Sequence, residues 1–228
     1  MNLAIFDIDG TLTNTNEVDQ ACFLKAWKDL FRITDVPTDW SKYRYSTDSG
    51  IADELFEKYH LKTSNDIEHF RNYFVECLRK AHREDPSSFI EVKGASNLID
   101  RLRLHPDWKL AIATGAWKKS AEFKLERSEI RFGDIPFGCA EDAFDRKDII
   151  LKAWQDAERI HSVKAFDRVI YVGDGIWDLK AAAELKIPFV GISAKEHFHF
   201  RTLRHQLADY LDQSKVLRYF SEAEVAKF

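Results

Sequence analysis

Two carboxylates two residues apart close the first apolar run of the chain, Leu3-Ala4-Ile5-Phe6-Asp7-Ile8-Asp9-Gly10-Thr11-Leu12-Thr13. The run reads as a buried strand, and in a strand residues i and i+2 point the same way. Where the strand frays into a loop, Asp7 and Asp9 therefore face one small volume. Two acids held there at neutral pH repel each other. A divalent cation, or a proton on one of the acids, offsets that cost. Gly10 allows a tight turn, and the amides of Gly10 and Thr11 are then placed to hold an anion. Alone, an Asp-x-Asp at a strand end is more often a turn. With the glycine turn it points to a metal and a phosphate.

The elements that must position these residues follow from periodicity. Helical spacing of apolar residues runs from about Glu17 to Phe31, with Val18, Cys22, Trp27 and Leu30 on it. Pro37 and the polar run from Thr38 to Gly50 form a loop with Trp40, Lys42, Tyr43, Arg44 and Tyr45. Asp48 or Ser49 is placed to cap a helix through Ile51, Leu55 and Tyr59, and a further helix carries Ile67, Phe70, Phe74 and Leu78. From Gly94 the rhythm alternates. Strands are expected at Trp108 to Ala113, weakly at Pro136 to Cys139, at Arg168 to Val172 and at Pro188 to Ile192. Helices separate them, and the tail from Glu196 reads as helical with a short edge strand near Asp209 to Leu211. This alternation predicts an α/β, Rossmann-like parallel sheet with helices on both faces. The first strand alone cannot bury its edges, so it belongs to that sheet. The expected division is residues 1–13 and 91–228 as the core domain, with 14–90 an inserted α-helical cap domain over the carboxyl ends of the strands.

Composition narrows the function. The chain has 228 residues, 45% hydrophobic and 32% charged, ordinary for a globular protein with ample core. A formal net charge of -4 gives no electrostatic case for nucleic acid. Cys22, Cys77 and Cys139 form neither a zinc spacing nor a disulfide framework, which points to a reducing cytoplasm. The N-terminus has no basic segment and long apolar run, so no signal peptide is expected. No apolar run approaches the roughly 18 residues of a membrane span. Oligomeric state is not legible.

Four expected strand ends carry the remaining chemistry: Asp7 with Asp9, Thr114, the loop from Asp142 to Lys147, and Asp174 with Asp178. Ligands of open parallel sheets bind beyond those ends. In order and spacing the chain resembles the haloacid dehalogenase superfamily, in the subgroup with a helical cap after the first motif, akin to phosphoglycolate phosphatases and β-phosphoglucomutases. Asp7-Ile8-Asp9-Gly10-Thr11-Leu12-Thr13 matches the first motif, Leu110-Ala111-Ile112-Ala113-Thr114-Gly115 the second, and Tyr171-Val172-Gly173-Asp174-Gly175-Ile176-Trp177-Asp178 the fourth. The third departs from the usual Lys-Pro. Counting from Glu141-Asp142 favours Lys147, followed by Asp148, and Arg146 stays open.

The resemblance implies roles. Asp7 is the nucleophile that forms an aspartyl-phosphate. Asp9 is the acid for the leaving oxygen and then the base for water. Mg²⁺ is held by Asp7, the Asp9 carbonyl and Asp174, with Asp178 a ligand or a support. Thr114, with Gly115 and nearby amides, holds phosphoryl oxygens, and Lys147 or Arg146 offsets transition-state charge. Dehalogenases lack the second acid, because a halide leaves unprotonated, so Asp9 favours phosphoryl transfer. Arg44, Thr47, Asp48 and Ser49 are candidates for substrate contact from the cap. Trp117 and Trp177 are expected to pack first helical turns on the sheet. A phosphatase of a small phosphorylated metabolite is expected, with a sugar phosphomutase, or a phosphate-binding module without turnover, as the alternatives.

Overall fold

The first apolar run forms β1 (Asn2–Phe6), in the middle of a six-stranded parallel sheet of order β3-β2-β1-β4-β5-β6 in the computed structural model. Residues 1–61, 64–193 and 203–225 are described. The other strands are β2 (Trp108–Ala113), β3 (Phe137–Gly138), β4 (Arg168–Gly173), β5 (Phe189–Ile192) and β6 (Gln206–Leu207). The helices among the described residues are α1 (Asn16–Phe31), α2 (Asp48–Lys58), α3 (Ser64–Glu84), α4 (Ala95–Leu104), α5 (Lys118–Arg127), α6 (Arg146–Ile160), α7 (Ile176–Glu184) and α8 (Gln213–Glu222). All strand pairs are parallel, with Ala4 opposite both Leu110 and Ile170.

Alternate residues of β1 feed two cores. Ala4 and Phe6 pack with α4, α5 and α8 through Leu98, Leu102, Leu125 and Phe220. Leu3 and Ile5 pack on the opposite face with α6 and α7 through Ile149, Ile150, Ala153 and Leu179. A strand buried on both faces cannot alternate with polar residues, which is why β1 is apolar throughout. The helices α1, α2 and α3 build a third core around Phe23, Trp27, Phe56, Phe70 and Phe74. The chain enters and leaves this block side by side: Asn14 N–H donates to the Ile90 carbonyl at 2.8 Å, and Thr13 bridges Glu91.

Several expectations shift in detail. The edge strand expected near Asp209 to Leu211 lies at Gln206–Leu207, and helix α8 follows it. The tail from Glu196 to residue 202 is outside the described residues. Thr47, not Asp48 or Ser49, caps α2, its hydroxyl accepting from Gly50 N–H at 3.2 Å. Trp117 does not lie on the sheet. Its ring packs against Phe23, Phe70 and Phe74 of the helical block.

Candidate active site

Asp7 follows β1 and Asp174 follows β4, on either side of the point where the strand order reverses, the usual crevice of an open parallel sheet. Asp7 N–H donates to the Val172 carbonyl at 3.0 Å, which ties the loop to β4. Gly10 turns the chain at φ 73°, and a Cβ there would lie 2.0 Å from Asp174 Oδ2. Only glycine lets this backbone pass so close to the carboxylate. Oxygens of Asp7, Asp174 and Asp178 lie within 4.8 Å of one another. Asp174 Oδ2 also accepts from Asn16 Nδ2 at 3.0 Å. Asp178 is fully buried. Its Oδ2 accepts from Gly175 N–H at 2.9 Å and its Oδ1 from the Tyr171 hydroxyl at 3.0 Å.

Charge crowding marks the same spot. Burial pushes the Asp7 carboxyl up to about 7; Arg146 pulls it down, while Asp178 and Asp9 push it further up. Burial, then the charges of Asp178 and Asp7, raises Asp174 well above the usual carboxylate range. Three hard oxygen donors that repel one another fit a Mg²⁺-type cation, which would relieve that repulsion.

Arg146 and Lys147 part company at the start of α6. Arg146 Nη1 lies 3.0 Å from Asp7 Oδ1 and 3.3 Å from Asp178 Oδ1, and its Nη2 donates to the Ser46 carbonyl at 3.1 Å. Its buried Nε–H has no protein partner among the described residues. Gly115 makes room for it, since a Cβ there would meet Arg146 Nη2 at 2.5 Å. Lys147 points outward to Asp145 and Glu184, at 3.2 and 3.4 Å. The count from Glu141-Asp142 that favoured Lys147 is therefore corrected: the cation beside Asp7 is Arg146. The phosphate role expected of Gly10 and Thr11 amides is corrected too. Gly10 N–H donates to the Thr13 carbonyl at 2.7 Å and Thr11 N–H to the Ile8 carbonyl at 3.1 Å, so the turn itself consumes both donors. Thr11 is wholly buried behind the site. Thr114 and Gly115 do line it.

Above this floor opens a cavity of about 430 Å³, walled on the far side by Asp19, Gln20, Phe23, Asp39 and Trp40 of the helical block. Trp177 lines it as well, where packing on the sheet was expected. Of the four expected cap contacts, Thr47 and Asp48 reach this cavity. Thr47 spends its hydroxyl on the Phe144 carbonyl at 2.8 Å. Asp48 Oδ2 accepts from Trp117 N–H at 2.9 Å, and burial with the Asp19 charge pushes its carboxyl up to about 8. Arg44 is exposed and lines, with Asp145 and Glu184, an adjoining depression that shares Ser46, Arg146 and Trp177 with the cavity. Ser49 is buried outside the cavity, accepting from Trp117 Nε1 at 2.8 Å and Arg71 Nη2 at 3.2 Å. Ser49 is corrected as a substrate contact, because its hydroxyl is taken up by Trp117 and Arg71, and Arg44 stands beside the cavity rather than in its wall.

Lys124 of α5 and Asp19 of α1 were not singled out from the sequence. Lys124 is fully buried, with Nζ 2.5 Å from Asp9 Oδ2 and 2.6 Å from Asp19 Oδ1. The available signal was a charge inside the apolar stripe of α5, between Ala121 and Leu125.

The sequence model described as haloacid dehalogenase-like hydrolase matches residues 4–192, spanning every site residue named above. The chain belongs to the haloacid dehalogenase-like hydrolase family. No curated protein matches it. Solved structures share the fold. A hydrolase from Pseudomonas syringae is 20% identical over 97% of this chain and 99% of that one, with a TM-score of 0.69. CbbY from Rhodobacter sphaeroides, solved in complex with phosphate, is 18% identical over 92% and 95%, with a TM-score of 0.64. A predicted phosphoglycolate phosphatase from Haemophilus somnus is 15% identical over 94% and 97%, with a TM-score of 0.60. No helix among the described residues of this family member is long and apolar enough to cross a membrane.

Proposed function

We propose that this hydrolase is a Mg²⁺-dependent phosphatase of a small phosphorylated metabolite, acting through an aspartyl-phosphate on Asp7. The observation that carries the reading is the placement of Asp7 on the cavity floor, with the Arg146 guanidinium 3.0 Å from it and Asp9 beside it. Asp7, Asp174 and the Asp9 carbonyl would hold Mg²⁺, with buried Asp178 beside them and paired to Arg146. Bound there, the cation would mask the phosphoryl charge that repels the incoming carboxylate. A carboxylate oxygen of Asp7 attacks phosphorus, the bond to the alcohol oxygen breaks, and Asp9 gives that oxygen its proton. Asp9 then takes a proton from water as the water attacks phosphorus and the bond to Asp7 breaks, releasing phosphate. Arg146 faces the equatorial oxygens, and Thr114 offers its hydroxyl to one of them.

The cavity wall favours hydrolysis over transfer to a sugar phosphate. Beyond the phosphoryl subsite, its acidic lining residues among those described are Asp19, Asp39 and Asp48, and Arg146 is the cation at the floor. A second phosphate would find no guanidinium or ammonium group on that wall. The same argument sets a monophosphate apart from the xylulose-1,5-bisphosphate bound to a CbbY variant. The helical block over 14–90 acts in this reading as the cap that closes the cavity. The cysteines are free and buried, which supports work in a reducing cytoplasm.

Purified protein with Mg²⁺, given a panel of phosphate monoesters, should release phosphate from at least one. EDTA should stop the release and added Mg²⁺ restore it. Asp7→Asn should abolish turnover while the circular dichroism spectrum stays that of the wild type. No release from any ester, or wild-type turnover in Asp7→Asn, would overturn the reading.

A further inference from the structure

A fully buried lysine stands behind the second acid of the first motif. Lys124 Nζ lies 2.5 Å from Asp9 Oδ2 and 2.6 Å from Asp19 Oδ1. Three separate segments meet there: the loop after β1, the first turn of α1 and the last turn of α5. Removing an ammonium from water costs several kcal/mol unless close partners offset it. Here two carboxylates do, and Asp19 comes from the helical block while Asp9 comes from the sheet. The other oxygen of Asp9 accepts from the Thr15 hydroxyl at 2.6 Å, and Thr15 is itself 2.5 Å from the Thr13 hydroxyl. Both oxygens of Asp9 are thus held, one by the entry to the block and one by Lys124. Lys124 does not line the cavity, so it touches no substrate there.

We propose that Lys124 is a positioning residue: it holds the Asp9 carboxyl at the cavity floor and, through Asp19, registers α1 against it. The proposal rests on the phosphatase reading, with Asp9 as proton donor. It makes a claim a merely structural role would not make. An alkyl phosphate leaves as an alkoxide and needs the Asp9 proton. The p-nitrophenolate ion is stable near neutral pH and does not. The comparison is made on kcat/KM, which extends only to departure of the leaving group, so later hydrolysis of the aspartyl-phosphate does not blur it.

Lys124→Met should lower kcat/KM for glycerol phosphate, or the best alkyl ester of the panel, by roughly tenfold to a hundredfold, and that for p-nitrophenyl phosphate by less than about threefold. In an Asp9→Asn background the same change should have no further selective effect, because the lysine acts through that carboxyl. Should Lys124→Met not fold, Lys124→Arg keeps the charge, displaces the contact and reads the same ratio. Equal losses on the two esters, or a selective loss that persists with Asp9→Asn, overturn the proposal alone. Wild-type protein that turns over neither ester overturns the phosphatase reading and this proposal with it.

Discussion

Arg146 and Lys147 are neighbours in the chain, and a helix turns about 100° between neighbours. At the first turn of α6 that rotation sends one cation to Asp7 and Asp178 and the other to Asp145 and Glu184. Arg146→Ala should therefore lower kcat/KM about 10²–10³-fold, the cost of losing one preorganised charge, while Lys147→Ala leaves it near the wild-type value. Steady-state kinetics on one ester decides; the reverse ranking would return the role to Lys147. The choice was not legible in the sequence, because without a proline after it the start of α6 could not be fixed to one residue. Asp7 and Asp9 were legible, since their partners in the argument lie within four residues. Lys124 was not, since its two partners lie 115 and 105 residues away. A residue-level pH effect follows from Asp48. Its folded carboxyl titrates at about 8 rather than 3.8, because burial and Asp19 disfavour its charge. The native state then holds a proton the unfolded chain has released, so stability is undiminished below about pH 4 and falls as pH rises toward 8. Asp48→Asn keeps an acceptor for Trp117 N–H and removes that loss. Its unfolding free energy relative to wild type should rise by about 1–2 kcal/mol between pH 5 and pH 8, a figure discounted for the partial exposure of the group. Denaturant titrations at the two pH values measure it, and a difference that stays flat or shrinks would count against the assigned cause.

At the scale of elements, the sheet was largely legible because parallel strands buried on both faces are short apolar runs with helices between them. Trp108–Ala113 and Arg168–Gly173 stand where those runs stand. The edge strands were less so. Strand β6 has only two residues, Gln206 and Leu207, and its existence depends on pairing with Gly191 and Ile192 rather than on its own pattern. The cap of α2 lies just before the two expected positions, Asp48 and Ser49, for a related reason. Thr47, Asp48 and Ser49 are all good cap residues, and the tertiary bonds of Asp48 to Trp117 and of Ser49 to Trp117 and Arg71 leave Thr47 for the helix. The turn after β1 carries the sharpest element-level prediction. Gly10 combines φ 73° with a Cβ position 2.0 Å from Asp174 Oδ2. Gly10→Ala thus meets backbone strain of about 1–2 kcal/mol and pushes Asp174 off the cluster with Asp7 and Asp178. The expected result is a lower melting temperature and a smaller thermal shift on adding Mg²⁺. A variant that matches wild type in both would show that the turn tolerates a side chain.

For the molecule as a whole, several contacts hold the helical block over the sheet, Lys124 to Asp19 and Arg146 to the Ser46 carbonyl among them, and two more bear on how the block sits. One is the pair of chain passes, where Asn14 N–H meets the Ile90 carbonyl and Val92 N–H meets the Leu12 carbonyl, both at 2.8 Å. These bonds bring the two chain passes side by side. The other is Trp117, which leaves the end of the second motif and enters the aromatic core of the block. Its ring meets Phe23, Phe70 and Phe74 at centroid distances of 6.3, 5.8 and 6.0 Å, with the Arg71 guanidinium 5.1 Å from its centre. Its Nε1–H donates to Ser49. Trp117 is next but two after Thr114, so the same short loop lines the cavity and enters the core of the helical block. Trp117→Ala should cost about 3–5 kcal/mol of stability, as large aromatic deletions in cores do. The loss should be uneven: amides of α1, α2 and α3 should exchange hydrogen faster, while those of β1, β2 and β4 keep their protection. KM should rise with it, since a loosened block encloses the substrate less well. Uniform acceleration of exchange across sheet and block would instead make Trp117 a core residue shared by both.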